Sequence, residues 1–367
     1  MRLRALVKTA AAEALCRTGA DRVWNALSPG ASLVLGYHRV VEDADRAARG
    51  SIPAMVVSAR TLERHLDWVG RRFRFVSLDE LAGALESGPR GGRAPAAVTF
   101  DDGYRDVYEH AFPLLQRKGI PGAVFVVTDL LGTSRRMIHD RLYLALARTL
   151  LPPLDGRARL ARRLRILDLR VPALEDVTAR AISDAFGATR ALLEALPAAE
   201  LDRVTQALEH EAGLAGATFP EQEALDWDMV LTMHREGFTI GSHTCSHVLL
   251  TNEEPGRVRQ ELVASRQQLE SRLGAPVRHL AYPDGRFDHA VVGEAAAAGY
   301  QFAYTTCRHR DRARPLLTIP RQLWWERSGV DAFGRPSPAI MSCQAHGAFD
   351  VAARCGQDHG SRAAATA

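Results

Sequence analysis

The chain has 367 residues, 46% of them hydrophobic, and 47 basic against 43 acidic side chains give a formal net charge of +4 at pH 7. That length suffices for one large domain or two smaller ones, and the hydrophobic share is ample for a core. The positive charge is scattered arginine on a solvated surface, not the basic run of a nucleic-acid-binding arm. The five cysteines (Cys16, Cys245, Cys307, Cys343 and Cys355) are odd in number and contain no CxxC pair, so neither a disulfide framework nor a thiolate zinc site is indicated.

Residues 1–30 read as an amphipathic helix ending near Pro29-Gly30. Its apolar run is broken by Lys8, Glu13 and Arg17, short of the apolar centre of a signal peptide. No other stretch approaches the roughly 18 uninterrupted apolar residues of a membrane span. The expected location is cytoplasmic or peripherally attached to a membrane surface.

Residues 31–38, ending in Leu35-Gly-Tyr-His38, form a short apolar run bounded by Pro-Gly and by charge, which predicts a buried strand. A helix is predicted over Ser58–Arg71 with Ser58 as N-cap, and another over about Ser77–Glu86, where Ser77 and Glu80 have capping-box spacing. Pro95–Phe100 reads as a strand halted by Asp101-Asp102-Gly103, followed by a helix over Tyr104–Lys118 and a strand over Ala123–Thr128. Strand–helix–strand alternation implies a parallel sheet, whose active site sits at the carboxyl ends of its strands.

From about 135 to 223 the sequence becomes rich in Ala, Leu, Arg and Glu, which predicts a helical insertion. Strands return at Phe238–His243, Arg278–Tyr282 and Phe302–Thr306, separated by helices over Glu254–Leu273 and around His289–Ala298. The main domain is expected over 31–327. Residues 328–367, where periodicity fades, are expected to be a disordered tail.

Two constellations carry chemistry. Thr99-Phe-Asp-Asp-Gly-Tyr104 sets two adjacent carboxylates after a buried strand, where successive side chains diverge, so one can bind a metal while the other faces substrate. His243-Thr-Cys-Ser-His247 places two imidazoles four apart, convergent on one ion if a helical turn starts there. Alone, the first is commonly a turn and the second a surface pair. Together they offer one carboxylate and two imidazoles with positions left open, the arrangement of a catalytic metal. Cys245, lying between the two imidazoles, is expected to point away from the ion.

These two motifs and the later Ala281-Tyr-Pro-Asp-Gly285 resemble, in order, those of the NodB-like polysaccharide deacetylases (carbohydrate esterase family 4). The resemblance covers about 33–325, outside most of the insertion. It implies an α/β fold, an irregular (β/α) barrel of about seven strands. It implies one divalent ion, Zn2+ or else Co2+, Ni2+ or Mn2+, on Asp102, His243 and His247. It further implies Asp101 as general base and the Tyr104 N–H as oxyanion donor, acting on an N-acetylated carbohydrate.

Two positions depart from the common family pattern. No Leu-x-His strand follows Gly285, whereas Leu35-Gly-Tyr-His38 ends the first strand, which resembles the circularly permuted branch containing poly-N-acetylglucosamine deacetylases. His38 is therefore the expected general acid. Ala281 stands where the family has an arginine paired with the base. Arg321, in Ile319-Pro-Arg beyond the last predicted strand, is expected to replace it, with Arg286 the alternative. Tyr282, Pro283 and Trp324, with Trp325 beside it, are expected to meet the sugar. A catalytically inactive carbohydrate-binding protein that keeps the metal site is the competing reading. A phosphoesterase would usually need more carboxylates for two metals.

Overall fold

The computed structural model describes residues 2–19, 32–87, 92–149, 165, 185–349 and 359. Its strands are Leu33–Tyr37 (β1), Arg39–Val41 (β2), Val56–Ser58 (β3), Arg74–Phe75 (β4), Pro95–Phe100 (β5), Gly122–Val126 (β6), Thr239–Ser242 (β7), His279–Ala281 (β8), Phe302–Thr305 (β9), Ile319–Pro320 (β10) and Gln322–Leu323 (β11). One sheet runs β10-β9-β8-β7-β6-β5-β1-β11 with every neighbouring pair parallel, and β4 adds to the start of β5. β2 and β3 form a separate parallel pair. The strands are buried along almost their whole length, as both faces of a parallel sheet must be.

β10 and β11 are one extended run interrupted at Arg321. The Arg321 N–H donates to the Thr305 carbonyl at 2.8 Å and the Trp324 N–H to the Gly36 carbonyl at 2.9 Å. The run thus crosses from the β9 edge to the β1 edge and brings them together into a nearly closed barrel. The sequence places its last expected strand at Phe302–Thr306. This seam corrects it, and Arg321 lies at the break between β10 and β11.

Side chains alternate across the sheet. Leu33, Leu35, Val98, Phe100, Val124 and Val126 pack outward beneath the helices. Val34, Ala97, Ala123, Phe125, Ala281 and Tyr304 fill the interior, with Val76, Leu78 and Leu81 below them. The small interior residues make room for Phe125 and Tyr304, whose ring centroids lie 5.3 Å apart. A Cβ on Gly241 would come 2.5 Å from the Phe125 ring, so glycine is needed there.

The outer helices start and stop where local chemistry dictates. Ser58 caps Ala59–Gly70 by accepting from the Thr61 N–H. At the head of Leu78–Ser87 the Ser77 N–H donates to Glu80 at 2.9 Å and the Glu80 N–H returns a bond to Ser77 Oγ at 3.2 Å. Phe112–Lys118 and Pro255–Leu273 end on left-handed Gly119 and Gly274.

Within the insertion, helices Ile138–Thr149, Ala185–Ala195 and Ala198–Glu211 are described and share their own core of Leu142, Leu146, Leu192, Leu201, Val204 and Leu208. Residues 150–164 and 166–184 of the insertion lie outside the described residues, as do 20–31 of the first segment. The disordered tail expected from 328 onward is corrected over 328–349. Ser337 caps a helix over Pro338–Ala345, and Ala339, Ile340 and Cys343 pack with Ala12 of the N-terminal helix Arg2–Arg17. Small side chains let the two helices approach closely, and no long apolar period is needed. The tail beyond 349, apart from His359, lies outside the described residues. Among the described residues no helix is long and apolar enough to cross a membrane.

Candidate active site

The carboxyl ends of the strands surround a cavity of about 1020 Å³, floored by His38, Asp101, Asp102, His139, His243 and His247 and walled by the insertion. His38 follows β1, the two aspartates follow β5, and His243 follows β7. Backbone bonds fix their heights: the Asp101 N–H donates to the Tyr37 carbonyl at 2.8 Å and the His243 N–H to the Val126 carbonyl at 2.9 Å.

Asp102, His243 and His247 form a group whose ligand atoms all lie within 4.8 Å of one another. Nε2 of His243 and of His247 approach Asp102 Oδ1 at 3.5 and 3.3 Å. His243 Nδ1 lies 2.8 Å from the Ala281 carbonyl, which accepts only, so Nδ1 carries the proton and Nε2 keeps its lone pair. Both Asp102 oxygens and His247 Nδ1 are buried without a hydrogen-bond partner. Orphaned acceptors facing two imidazoles fit a divalent cation, and the donor set is that of an open site.

The two histidines do not converge through a helical turn. Residues 243–249 are a loop in which Thr244 and His247 take φ of 68° and 60°. Asp102 and Asp284 share this left-handed backbone, so every described non-glycine residue with positive φ sits at the barrel mouth. Glu261, fully buried, staples the loop: it accepts from the N–H groups of Cys245 and Ser246 at 2.8 and 2.9 Å and from Ser246 Oγ at 2.6 Å. Cys245 turns its Sγ to the Glu261 carbonyl at 3.5 Å, outside the metal group, and burial pushes its thiol up to about 11.

Asp101 is clamped from the barrel interior. Arg321 donates from Nη1 and Nη2 to its two oxygens at 2.7 Å each and from Nη1 to Thr99 Oγ1 at 3.2 Å, over the ring of Phe125. Burial alone would raise the Asp101 carboxyl, but Arg321 and then His243 hold it below the usual carboxylate range. Arg286 is turned elsewhere, 3.8 Å from Glu194. For Asp102, burial again pulls upward and is outweighed, first by His247 and then by His139.

The expected sugar platform is corrected. Tyr282 is fully buried and donates to the Leu317 carbonyl at 3.0 Å, Pro283 is buried, and Trp324 is packed on His65 and Trp68. None of the three lines the cavity. They are core, and an aromatic in sequence does not announce which side of a strand it takes.

Tyr104 is also buried, and its backbone N–H has no partner among the described residues. Its phenol hydroxyl donates to Asp140 Oδ2 at 2.6 Å and meets His139 Nε2 at 2.9 Å. His139 and Asp140 open the first insertion helix, and the returning end of the insertion pairs with the same turn. There the Arg105 N–H donates to the Glu223 carbonyl at 2.9 Å and the Leu225 N–H to the Gly103 carbonyl at 2.8 Å. Both ends of the insertion therefore grip the Asp101–Tyr104 turn. No spacing in the sequence ties His139, Asp140 or Glu261 to the two motifs, so only the fold reveals them.

Comparison with known proteins gives three findings. The family described as polysaccharide deacetylase matches residues 89–147 and 178–303, together half of the chain. YxkH of Bacillus subtilis (strain 168) is 23% identical over 87 residues, and that match spans 23% of this chain and only 31% of YxkH. Among solved structures, the Streptococcus pyogenes deacetylase PplD in complex with acetate superposes with a TM-score of 0.52 at 17% identity, covering 85% of this chain and 96% of that one. IcaB from Ammonifex degensii gives 0.51 at 17% identity over 87% and 98%. At such identities the likeness is one of fold.

Proposed function

This chain belongs to the polysaccharide deacetylase family, and from that premise we propose that it hydrolyses N-acetyl groups of an amino-sugar poly- or oligosaccharide, releasing acetate. The reading is carried by one observation: the orphaned Asp102 carboxylate faces two imidazoles beside an arginine-clamped Asp101 on the floor of a large cavity. Asp102, His243 and His247 would hold one divalent cation, Zn2+ by donor type, with Co2+, Ni2+ or Mn2+ able to substitute. Bound there, the cation would polarise an acetamide carbonyl and acidify water.

The protein's own groups divide the remaining work. Asp101, held ionised by Arg321, accepts the proton of the attacking water. The unpartnered Tyr104 N–H donates to the oxyanion as the carbonyl becomes tetrahedral. His38, half-buried on the same cavity floor, gives a proton to the departing nitrogen, which leaves as an amine rather than as an unstable amide anion. The buried strands beneath fix all of these groups before substrate arrives.

The test is acetate release from N-acetylglucosamine oligomers by the purified chain, before and after metal stripping and Zn2+ addition. The reading predicts metal-dependent release. No acetate from any N-acetylated amino-sugar, with the metal site filled, would favour the binding-protein alternative.

A further inference from the structure

Asp102 offers the two imidazoles only one of its oxygens. Oδ1 faces Nε2 of His243 and His247, while Oδ2 is buried without a hydrogen-bond partner and has His139 Nε2 at 3.7 Å. His139 is 4% exposed, lines the cavity floor, and sets its ring 5.2 Å from that of His247.

The proton on His139 can be located by counting. A tyrosine hydroxyl has one hydrogen, and Tyr104 uses it on Asp140 Oδ2 at 2.6 Å. The 2.9 Å contact between the Tyr104 oxygen and His139 Nε2 then requires the imidazole to donate. An Nε2 that carries hydrogen has no lone pair for a cation, so His139 is a hydrogen-bond donor at this site and not a fourth ligand. Its N–H is taken by Tyr104, and the imidazole edge stands 3.7 Å from the free oxygen of Asp102, beyond hydrogen-bond reach. Arg39, over the Tyr104 ring at 5.3 Å and paired with Asp106 at 2.9 Å, braces the tyrosine from behind.

We propose that His139 is a positioning residue of the metal centre: Tyr104, held by Asp140, takes its Nε2–H and so fixes the imidazole edge beside His247 and 3.7 Å from Asp102 Oδ2. The insertion is then a working part of the centre, because His139 and Asp140 are the first polar side chains of its leading helix. An outer neighbour of this kind walls off the second oxygen and keeps a ligating carboxylate aimed through the first, and losing such a residue typically weakens metal binding roughly ten- to a hundredfold. The proposal rests on the reading that Asp102 holds a divalent cation.

The experiment is Zn2+ titration of the full, metal-stripped chain against a chromophoric competing chelator, with the melting temperature of each apo form measured alongside. His139→Ala should weaken Zn2+ roughly ten- to a hundredfold. Tyr104→Phe should act in the same direction. His139→Gln, which keeps an N–H donor of similar reach for the Tyr104 oxygen, should recover most of the affinity. Apo melting temperatures should not follow this order. Equal affinity in His139→Ala and the unsubstituted chain would overturn the proposal, and so would losses that merely track apo stability. An unsubstituted chain that binds no Zn2+ would instead overturn the assignment of Asp102 and the proposal with it.

Discussion

Arg321 holds both oxygens of Asp101 at 2.7 Å, although 220 residues separate them. The pair sits where the seam strand passes β1, so closing the barrel and charging the proposed base are one structural event. Arg321→Met should leave a buried carboxylate unpaired, costing about 3–5 kcal/mol of stability. It should also lower kcat, because an unpaired Asp101 takes up a proton more readily. Adding Asp101→Asn to Arg321→Met should restore much of the stability but none of the activity. Denaturant titration of the three variants checks this, and a double variant no more stable than Arg321→Met would contradict it.

His38→Ala removes the proposed acid without touching the cation ligands. Acetate release should fall by roughly 10²–10⁴ in kcat, the usual worth of a positioned proton donor, at unchanged Zn2+ content. Turnover at the original rate would move the acid elsewhere on the cavity floor.

Much of the barrel was legible in the sequence because β1, β5, β6, β7, β8 and β9 are runs buried on both faces and bounded by turn residues. The Ser77–Glu80 capping box and both metal-type motifs announced themselves by spacing. The seam did not: two residues on each side of Arg321, one of them Pro320, carry no period. Tyr282 and Trp324 misled because an aromatic near a motif has the same letter whether it faces sugar or core. His139 was invisible because only the folded insertion brings it to Asp102.

Glu261 fixes a loop whose Thr244 and His247 backbones are strained, so Glu261→Gln should loosen the histidine pair. Two amide donors would lose a charged acceptor, and Zn2+ affinity should drop by roughly tenfold or more. Zn2+ titration of this variant reads the effect directly, and undiminished affinity would show that the loop holds its shape unaided.

His65 gives a pH signature away from the metal. Packed against Trp324 and taking a hydrogen bond from Tyr37, it is held down to about 4 by burial. A folded-state value below the unfolded 6.5 means that the neutral ring stabilises the fold above pH 6.5. That contribution is lost as pH falls through about 4, and is worth roughly 3 kcal/mol in all. Urea unfolding at pH 7, 5.5 and 4.5 should show this decline, flattened in His65→Leu. The same decline in both proteins would assign it to other groups.

The most direct measurement of the central assignment is Asp101→Asn, assayed for Zn2+ stoichiometry and for acetate release in the same preparation. One bound Zn2+ per chain with acetate release lost is the result predicted by a base distinct from the Asp102, His243 and His247 ligands. One bound Zn2+ with turnover equal to that of the unsubstituted chain would contradict it.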